Sequence, residues 1–511
     1  MKSNRRSSMW QRGQSRLAWL AAGVMLCCGL TAAINAAERP NIVIILADDM
    51  GIGDPGCFNP QSKIPTPNID RLAREGMRFT DAHAAGSVCI PSRYGLLTGR
   101  YPWRGSDNGR LRITDGPVIE NGRVTLPALL KQAGYRTAMV GKWHLGYEQG
   151  TKYDYAQPFR SGPIDRGFDT FLGISASTDI PPYFLLRQDK VLTAPTLKIA
   201  EHHSPGWALT QGEFWRAGEI APDLKLEEVL PLFVQEAETE IKKQKRDAKP
   251  FLLYVAFTGP HTPWLPSKEF QGKTSIGMYG DFAANVDAGV GRILATLEQQ
   301  GLKENTLVIF TSDNGPMWFP QDVVKYGHAS AGIYRGMKGD AWEGGHRMPF
   351  IARWPGHIRP GTSCGETICL TDLTATCAAI TETPLPDQGA EDSYSLWPLF
   401  KGGEKFETPR PGVLHLSSRG VVCLRAGDWK LIPAVGSGGF SPADKNAPVE
   451  TDPLVKGQLY NLRTDPSEQR NLWKDRPEVV ERMVRLLEEC KAKGRTRLGG
   501  GRDCHRWRRL I

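Results

Sequence analysis

No CxxC pair and no zinc-like Cys/His spacing occurs in the 511 residues, which argues against a structural zinc fold. No internal repeat or low-complexity tract is present, so a repeat array is excluded. The body of the chain also lacks surplus positive charge. The formal charge is +9, but residues 1–37 hold five basic groups and no acid, and residues 491–511 hold eight basic groups against Asp503. Residues 38–490 are left at −3. A nucleic-acid-binding body needs a basic face, so no nucleic acid is expected as a partner. The longest apolar run, Leu17–Ala33, falls short of the roughly 20 residues that span a bilayer. Hydrophobic residues make up 40% and charged residues 23%, which excludes a disordered, collagenous or multi-span membrane chain. The length suggests about two or three domains.

What is present begins with a targeting pattern. Residues 1–16 are basic and polar, the apolar run follows, and small residues continue to Ala37. This is the layout of a secretory signal, with an uncleaved anchor as the other reading. The expected location is therefore outside the cytoplasm, periplasmic or secreted, with the membrane met only through this segment. Eight cysteines follow it: Cys57, Cys89, Cys364, Cys369, Cys377, Cys423, Cys490 and Cys504. Export permits disulfides, but the sequence does not give their pairing. If Cys89 is used for chemistry, an odd number remains.

Four short apolar runs organise the chain: 41–47, 136–141, 251–257 and 306–312. They have the length of strands buried on both faces, as in a parallel sheet between helices. Amphipathic stretches at 67–76, 124–134 and 284–301 each end in glycine, a usual helix stop. The alternation predicts an α/β domain over 38–400, with a large, mostly parallel sheet flanked by helices. Past the Pro/Gly-rich stretch 383–411, short segments at 412–418, 420–426 and 428–434 precede a polar helical stretch at 477–492. They predict a small C-terminal antiparallel sheet with one helix, over 401–493. Residues 494–511 are glycine- and arginine-rich, a composition expected of a disordered tail.

In open α/β sheets ligands bind beyond the carboxyl ends of the strands. Asp48 and Asp49 follow the first run, Lys142 and His144 the second, His261 the third, and Asp313 and Asn314 the fourth. The acidic pairs offer oxygen donors, which favour Ca²⁺ or Mg²⁺ over zinc or copper. Any one acid alone reads better as a turn or helix cap, but two acidic pairs at two strand ends favour the cation. Lys142 and His144, two apart, share one side of an extended chain and suit an anionic substrate and proton transfer. His202 and His203 face opposite ways in a loop-like stretch and are assigned no role. Tyr183, Trp207, Trp215, Trp264 and Trp318 fit either sugar stacking or core packing.

In 87–100, Cys89-Ile90-Pro91-Ser92-Arg93 precedes an apolar turn and Thr98-Gly99-Arg100. A lone buried cysteine is usually inert. Here it stands at an expected helix start beside an arginine, and both features stabilise an oxyanion. This run closely resembles the signature of the formylglycine-dependent type I sulfatases, of the alkaline-phosphatase superfamily. Residues 134–144 resemble that family's second signature, and 335–350, with Lys338, also match. The resemblance covers most of 40–475.

The resemblance implies an alkaline-phosphatase-like fold and hydrolysis of aryl or carbohydrate sulfate esters. It implies that Cys89 is converted to Cα-formylglycine by a formylglycine-generating enzyme. The hydrated aldehyde would attack sulfur, and a sulfo-enzyme intermediate would break down by elimination. Asp48, Asp49, Asp313, Asn314 and the modified Cys89 would hold one Ca²⁺, in preference to Mg²⁺. Arg93 would stabilise the hydrate. Lys142, His261 and Lys338 would bind sulfate oxygens, and His144 would act as the base. The competing readings are a phosphonate or phosphate ester hydrolase on the same scaffold, and an inactive carbohydrate-binding relative.

Overall fold

The computed structural model describes residues 39–105, 111–244, 249–403, 410–441, 452 and 454–497. The signal-like segment 1–37, and residues 498–511 of the expected tail, lie outside the described residues. The predicted strands form at the apolar runs because each alternates between two packed faces. In β1 (Asn41–Ala47), Ile42, Ile44 and Leu46 join one core while Val43, Ile45 and Ala47 join the other. The other strands of the sheet are β2 (Met77–Phe79), β3 (Arg136–Lys142), β4 (Thr170–Ile174), β5 (Leu185–Arg187), β6 (Lys190–Val191), β7 (Phe251–Ala256), β8 (Thr306–Ser312), β9 (Phe350–Arg353) and β10 (Thr362–Cys364). Their order across the sheet is β10-β2-β9-β8-β1-β7-β3-β4-β5-β6.

The five central strands, β8-β1-β7-β3-β4, are parallel, so their carboxyl ends share one edge. β9 and the β5–β6 hairpin run antiparallel to their neighbours, making the sheet mixed but mostly parallel. One face is covered by α1 (Pro67–Glu75), α4 (Val229–Gln244) and α5 (Met278–Gln299). The other face packs on α2 (Cys89–Thr98) and α3 (Leu126–Gln132). α2 is nearly all buried, so its sequence has no amphipathic stripe. Pro91 in its first turn and Gly99 beyond its end, at φ 63°, set its limits.

The C-terminal sheet has the order β11 (Val413–Leu416), β12 (Val422–Ala426), β13 (Trp429–Ile432), β14 (Gln458–Asn461), all antiparallel. α6 (Pro477–Ala492) packs on it through Met483, Leu486 and Leu487. The sheet is stitched to the larger α/β part: Leu416 donates its N–H to the Ala85 carbonyl and accepts one from Ser87. Seven cysteines among the described residues are free thiols.

Candidate active site

Register brings the strand-end residues level. Ala47 pairs with Ser312, and Ala256 pairs with both Leu46 and Gly141. Asp48 and Asp313 therefore leave neighbouring strands side by side. The Asp313 N–H reaches the Ala47 carbonyl at 3.1 Å, and the Asp48 N–H reaches that of Gly259 at 3.0 Å. Lys142 is the last residue of β3, and Cys89 is the first of α2.

The sequence-identified residues converge in one buried cluster. The Cys89 thiol donates to Asp48 Oδ1 at 3.3 Å, and Lys142 Nζ meets Asp48 Oδ2 at 2.6 Å. Lys338 Nζ meets Asp49 Oδ2 at 2.7 Å, and His261 Nε2 stands 3.8 Å from the same oxygen. Arg93 donates to Asp313 Oδ2 through Nε and Nη2, and to the Lys142 carbonyl through Nη1. Asn314 Nδ2 donates to Asp49 Oδ1 at 2.7 Å. Three carboxylates and three fixed cations thus interlock, and their formal charges cancel.

His144 belongs to the site for a different reason than alternation along a strand. β3 ends at Lys142, and His144 takes a left-handed conformation at φ 56°. Asp49, at φ 66°, is the second such residue in the cluster. Strain of this kind costs about 1–3 kcal/mol per residue and gathers at functional sites. His144 Nδ1 is buried without a hydrogen-bond partner.

The electrostatics separate the roles. Burial would raise the Asp48 carboxyl, but Lys142, His261 and Arg93 hold it well below its ordinary value. Burial, reinforced by Asp48, pushes the Asp313 carboxyl up to about 6. Burial, with Lys142 and Arg93, drives His144 well below the usual imidazole range. Burial and the Lys338 charge lower His261 as well. Both rings are therefore neutral near pH 7. Burial, with Asp313 and Asp48, raises the Cys89 thiol well above its ordinary value, so it does not ionise there.

A divalent cation fits this donor set. Donor atoms of Asp48, Asp49, Cys89 and His261 all lie within 4.8 Å of one another. Asn314 Oδ1 is buried with no hydrogen-bond partner, as an oxygen left for a cation would be. His261 Nδ1 lies 2.5 Å from the Thr262 carbonyl; donating there leaves Nε2 as a lone-pair donor toward the cluster. Because the three fixed cations already balance the three carboxylates, a divalent ion would leave the site at a formal +2, suited to an anion.

Sequence comparison identifies the scaffold. The Sulfatase family model matches residues 40–382. The chain belongs to the sulfatase family. An N-acetylgalactosamine-6-O-sulfatase of Bacteroides thetaiotaomicron is 33% identical to this sulfatase over 521 residues, covering 94% of this chain and 99% of that one. Human arylsulfatase A is 33% identical over 495 residues, covering 90% and 89%. A solved B. thetaiotaomicron sulfatase, described with that organism's metabolism of multiple glycosaminoglycans, superposes with a TM-score of 0.77 at 33% identity, covering 89% and 100%. The enzyme is a sulfuric ester hydrolase.

Sequence reasoning missed the surroundings of this sulfatase's site. Tyr279 and His328 both bond Asp54, and Tyr279 also bonds Ser330; together they brace the turn after Asp49. The segment leaving β4 accepts the His144 N–H at the Ser175 carbonyl, and it holds the Ser177 hydroxyl and one Asp179 oxygen buried without partners. Trp264 and Trp318 pack against Tyr279 in the core, and Trp215 stacks on His202. Packing accounts for these three tryptophans. No local pattern marks Asp54, Tyr279 and His328, which meet only through the fold.

Proposed function

We propose that the chain is an exported hydrolase of sulfate esters on saccharides, acting through Cys89 as Cα-formylglycine beside one divalent cation, Ca²⁺. The observation that carries this reading is the Cys89 environment. Its side chain sits at a helix amino end among carboxylates that prevent thiolate formation, so the unmodified thiol is a poor nucleophile there. Conversion of that side chain gives the position a chemical use. The 33% identity over nearly the whole chain to an N-acetylgalactosamine-6-O-sulfatase supports a carbohydrate sulfate as substrate. The signal-like residues 1–37 support export.

As formylglycine, position 89 supplies a hydrated aldehyde with one hydroxyl to attack sulfur and another to release it. Asp48, Asp49, Asp313, Asn314 and the modified residue would hold Ca²⁺, which would supply Lewis-acid polarisation and a lowered hydroxyl pKa. The remaining work falls to fixed side chains. Lys142 and Lys338 each have ammonium donors beyond the one spent on a carboxylate, and these hold sulfate oxygens as charge moves to the leaving group. His261 joins them when its Nε2 carries a proton. Arg93 fixes Asp313 and the end of β3 together, so the hydrate is met by a guanidinium that cannot swing away. Neutral His144, with Nδ1 free, accepts the proton surrendered during release. The test is kcat/KM on an aryl sulfate against the matching phosphate. A large sulfate preference is expected, and a large phosphate preference would transfer the scaffold to phosphoester chemistry.

A further inference from the structure

A second buried charged cluster lies outside the catalytic residues. Lys430, on β13 of the C-terminal sheet, is wholly buried. Its Nζ stands 3.0 Å from Glu343 Oε1, 2.9 Å from Glu468 Oε1 and 3.1 Å from His346 Nε2. Glu343 and His346 bound a single helical turn, 343–346. Glu468 also accepts the Glu343 N–H through Oε2 at 2.6 Å, and its own backbone is left-handed at φ 53°. Arg347 clasps Glu343 at 2.6 Å and Asp81 at 2.6 Å. His83 bridges Asp81 and His346, at 2.6 and 2.9 Å. His415 stacks on His346 with ring centres 3.5 Å apart.

His83, Glu343 and His346 lie close enough to hold a metal. The Lys430 ammonium already engages Glu343 and His346, so a lysine is the cation of this cluster. A cation buried against two carboxylates is costly to desolvate, and removing one partner strands the others. Such a group needs a structural reason to be there.

The reason is the segment 335–347, which carries Lys338. Its backbone is hydrogen-bonded to two parts of the catalytic cluster, the loop after Asn314 and the segment leading to Cys89. Lys338 N–H bonds the Pro316 carbonyl just past Asn314, and Gly315 N–H bonds that of Gly345. Gly339 N–H bonds Ser87 O, two residues before Cys89, at 2.7 Å. The C-terminal side holds the same segment: Arg335 Nη1 bonds the Glu468 carbonyl, and Ala341 N–H bonds that of Ser437.

We propose that Lys430 is a positioning residue for hydrolysis: clamped between Glu343 and Glu468, it fixes the 335–347 segment so that Lys338 meets the sulfate group. The C-terminal sheet is then a working part of the catalytic centre. The inference rests on reading Lys338 as a sulfate-binding cation.

The test compares Lys430→Met and Glu468→Gln with wild type. It measures kcat and KM on an aryl sulfate, and Ki for inorganic sulfate, per aldehyde-bearing molecule and below each variant's melting temperature. Lys430→Met should lower kcat/KM about 10–100-fold, the scale expected of a misplaced catalytic group, with a parallel rise in Ki. Glu468→Gln, which keeps the lysine and one carboxylate, should show the same pattern more weakly and stands in if Lys430→Met does not fold. Leu431→Ala, from the same strand's core, should lower the melting temperature and leave kcat/KM unchanged. Wild-type kcat/KM and Ki in a folded Lys430→Met, or in Glu468→Gln if that variant stands in, would overturn the proposal. Lys338→Ala separates the premise. If it raises Ki and Lys430→Met does not, only the positioning role fails; if it leaves Ki unchanged, the sulfate-binding reading of Lys338 fails.

Discussion

At position 89 the neighbours decide the chemistry. A thiol facing Asp48 at 3.3 Å, with Asp313 close, is held protonated. Cys89→Ala should abolish turnover and leave the melting temperature nearly unchanged, because it removes one small side chain; retained turnover would remove Cys89 from the mechanism. His144→Ala should lower kcat about 10²–10⁴-fold, the usual range for a lost general base, with little change in the Ki of sulfate. Asp313 sets a pH dependence. Its folded carboxyl titrates near 6, above the ordinary 3.8. Between those values the metal-free fold keeps a proton the unfolded chain has released, so this group's contribution to stability falls as pH rises through the window. A cation displaces that proton, so Ca²⁺ should raise the melting temperature more at a pH of about 8 than at about 5. An equal shift at both would contradict Asp313 as a ligand. Asp48, Asp49, Asp313 and Asn314 were legible because each pair directly follows an apolar run, whereas the roles of Cys89, Arg93 and Lys338 came from the family resemblance. His144 was legible in place but not in reason, since a left-handed residue breaks the alternation on which the reading relied.

The elements show what sets the precision of the site. β1 and β8 align residue for residue from Asn41↔Thr306 to Ala47↔Ser312, which fixes Asp48 against Asp313. α2 then brings Arg93 across to bind both Asp313 and the Lys142 carbonyl. Arg93→Met should destabilise the metal-free protein by about 3–5 kcal/mol, the cost of stranding a buried carboxylate, read by denaturant unfolding. Loss under about 1 kcal/mol would mean that Asp313 is held by other groups. Gly315 allows the loop after Asn314 to touch the 343–346 turn: a Cβ there would lie 1.8 Å from the Gly344 carbonyl oxygen. Gly315→Ala should therefore weaken Ca²⁺ binding and sulfate binding together, checked by calorimetry; unchanged affinities would contradict the coupling of these two loops. Four of the five central strands, β1, β3, β7 and β8, were legible as continuous apolar runs. The β5–β6 hairpin and β14 were not, because short, half-polar edge segments have little period. α5 begins at Met278, ahead of the expected 284, since its first turn is secured by tertiary burial of Tyr279 and Phe282.

Across the whole molecule, charge and connectivity carry different messages. The positive charge of the chain resides in its two ends, and residues 38–490 are slightly acidic, so attraction for an anionic ester is local to the site. The C-terminal antiparallel sheet was foreseen from its short segments and the turn residues between them. Its role in bracing the 335–347 segment was not, because Asp81, Glu343, Lys430 and Glu468 come from distant stretches where each reads as a solvated charge. A Lys in the short strand Trp429–Ile432 gives no local sign that both its carboxylate partners are buried with it. The most direct measurement is mass spectrometry of the peptide containing Cys89, taken from protein that is actively hydrolysing an aryl sulfate. Position 89 should carry the mass of an aldehyde and form one adduct with a hydrazide reagent. An intact thiol in fully active protein would contradict a formylglycine mechanism.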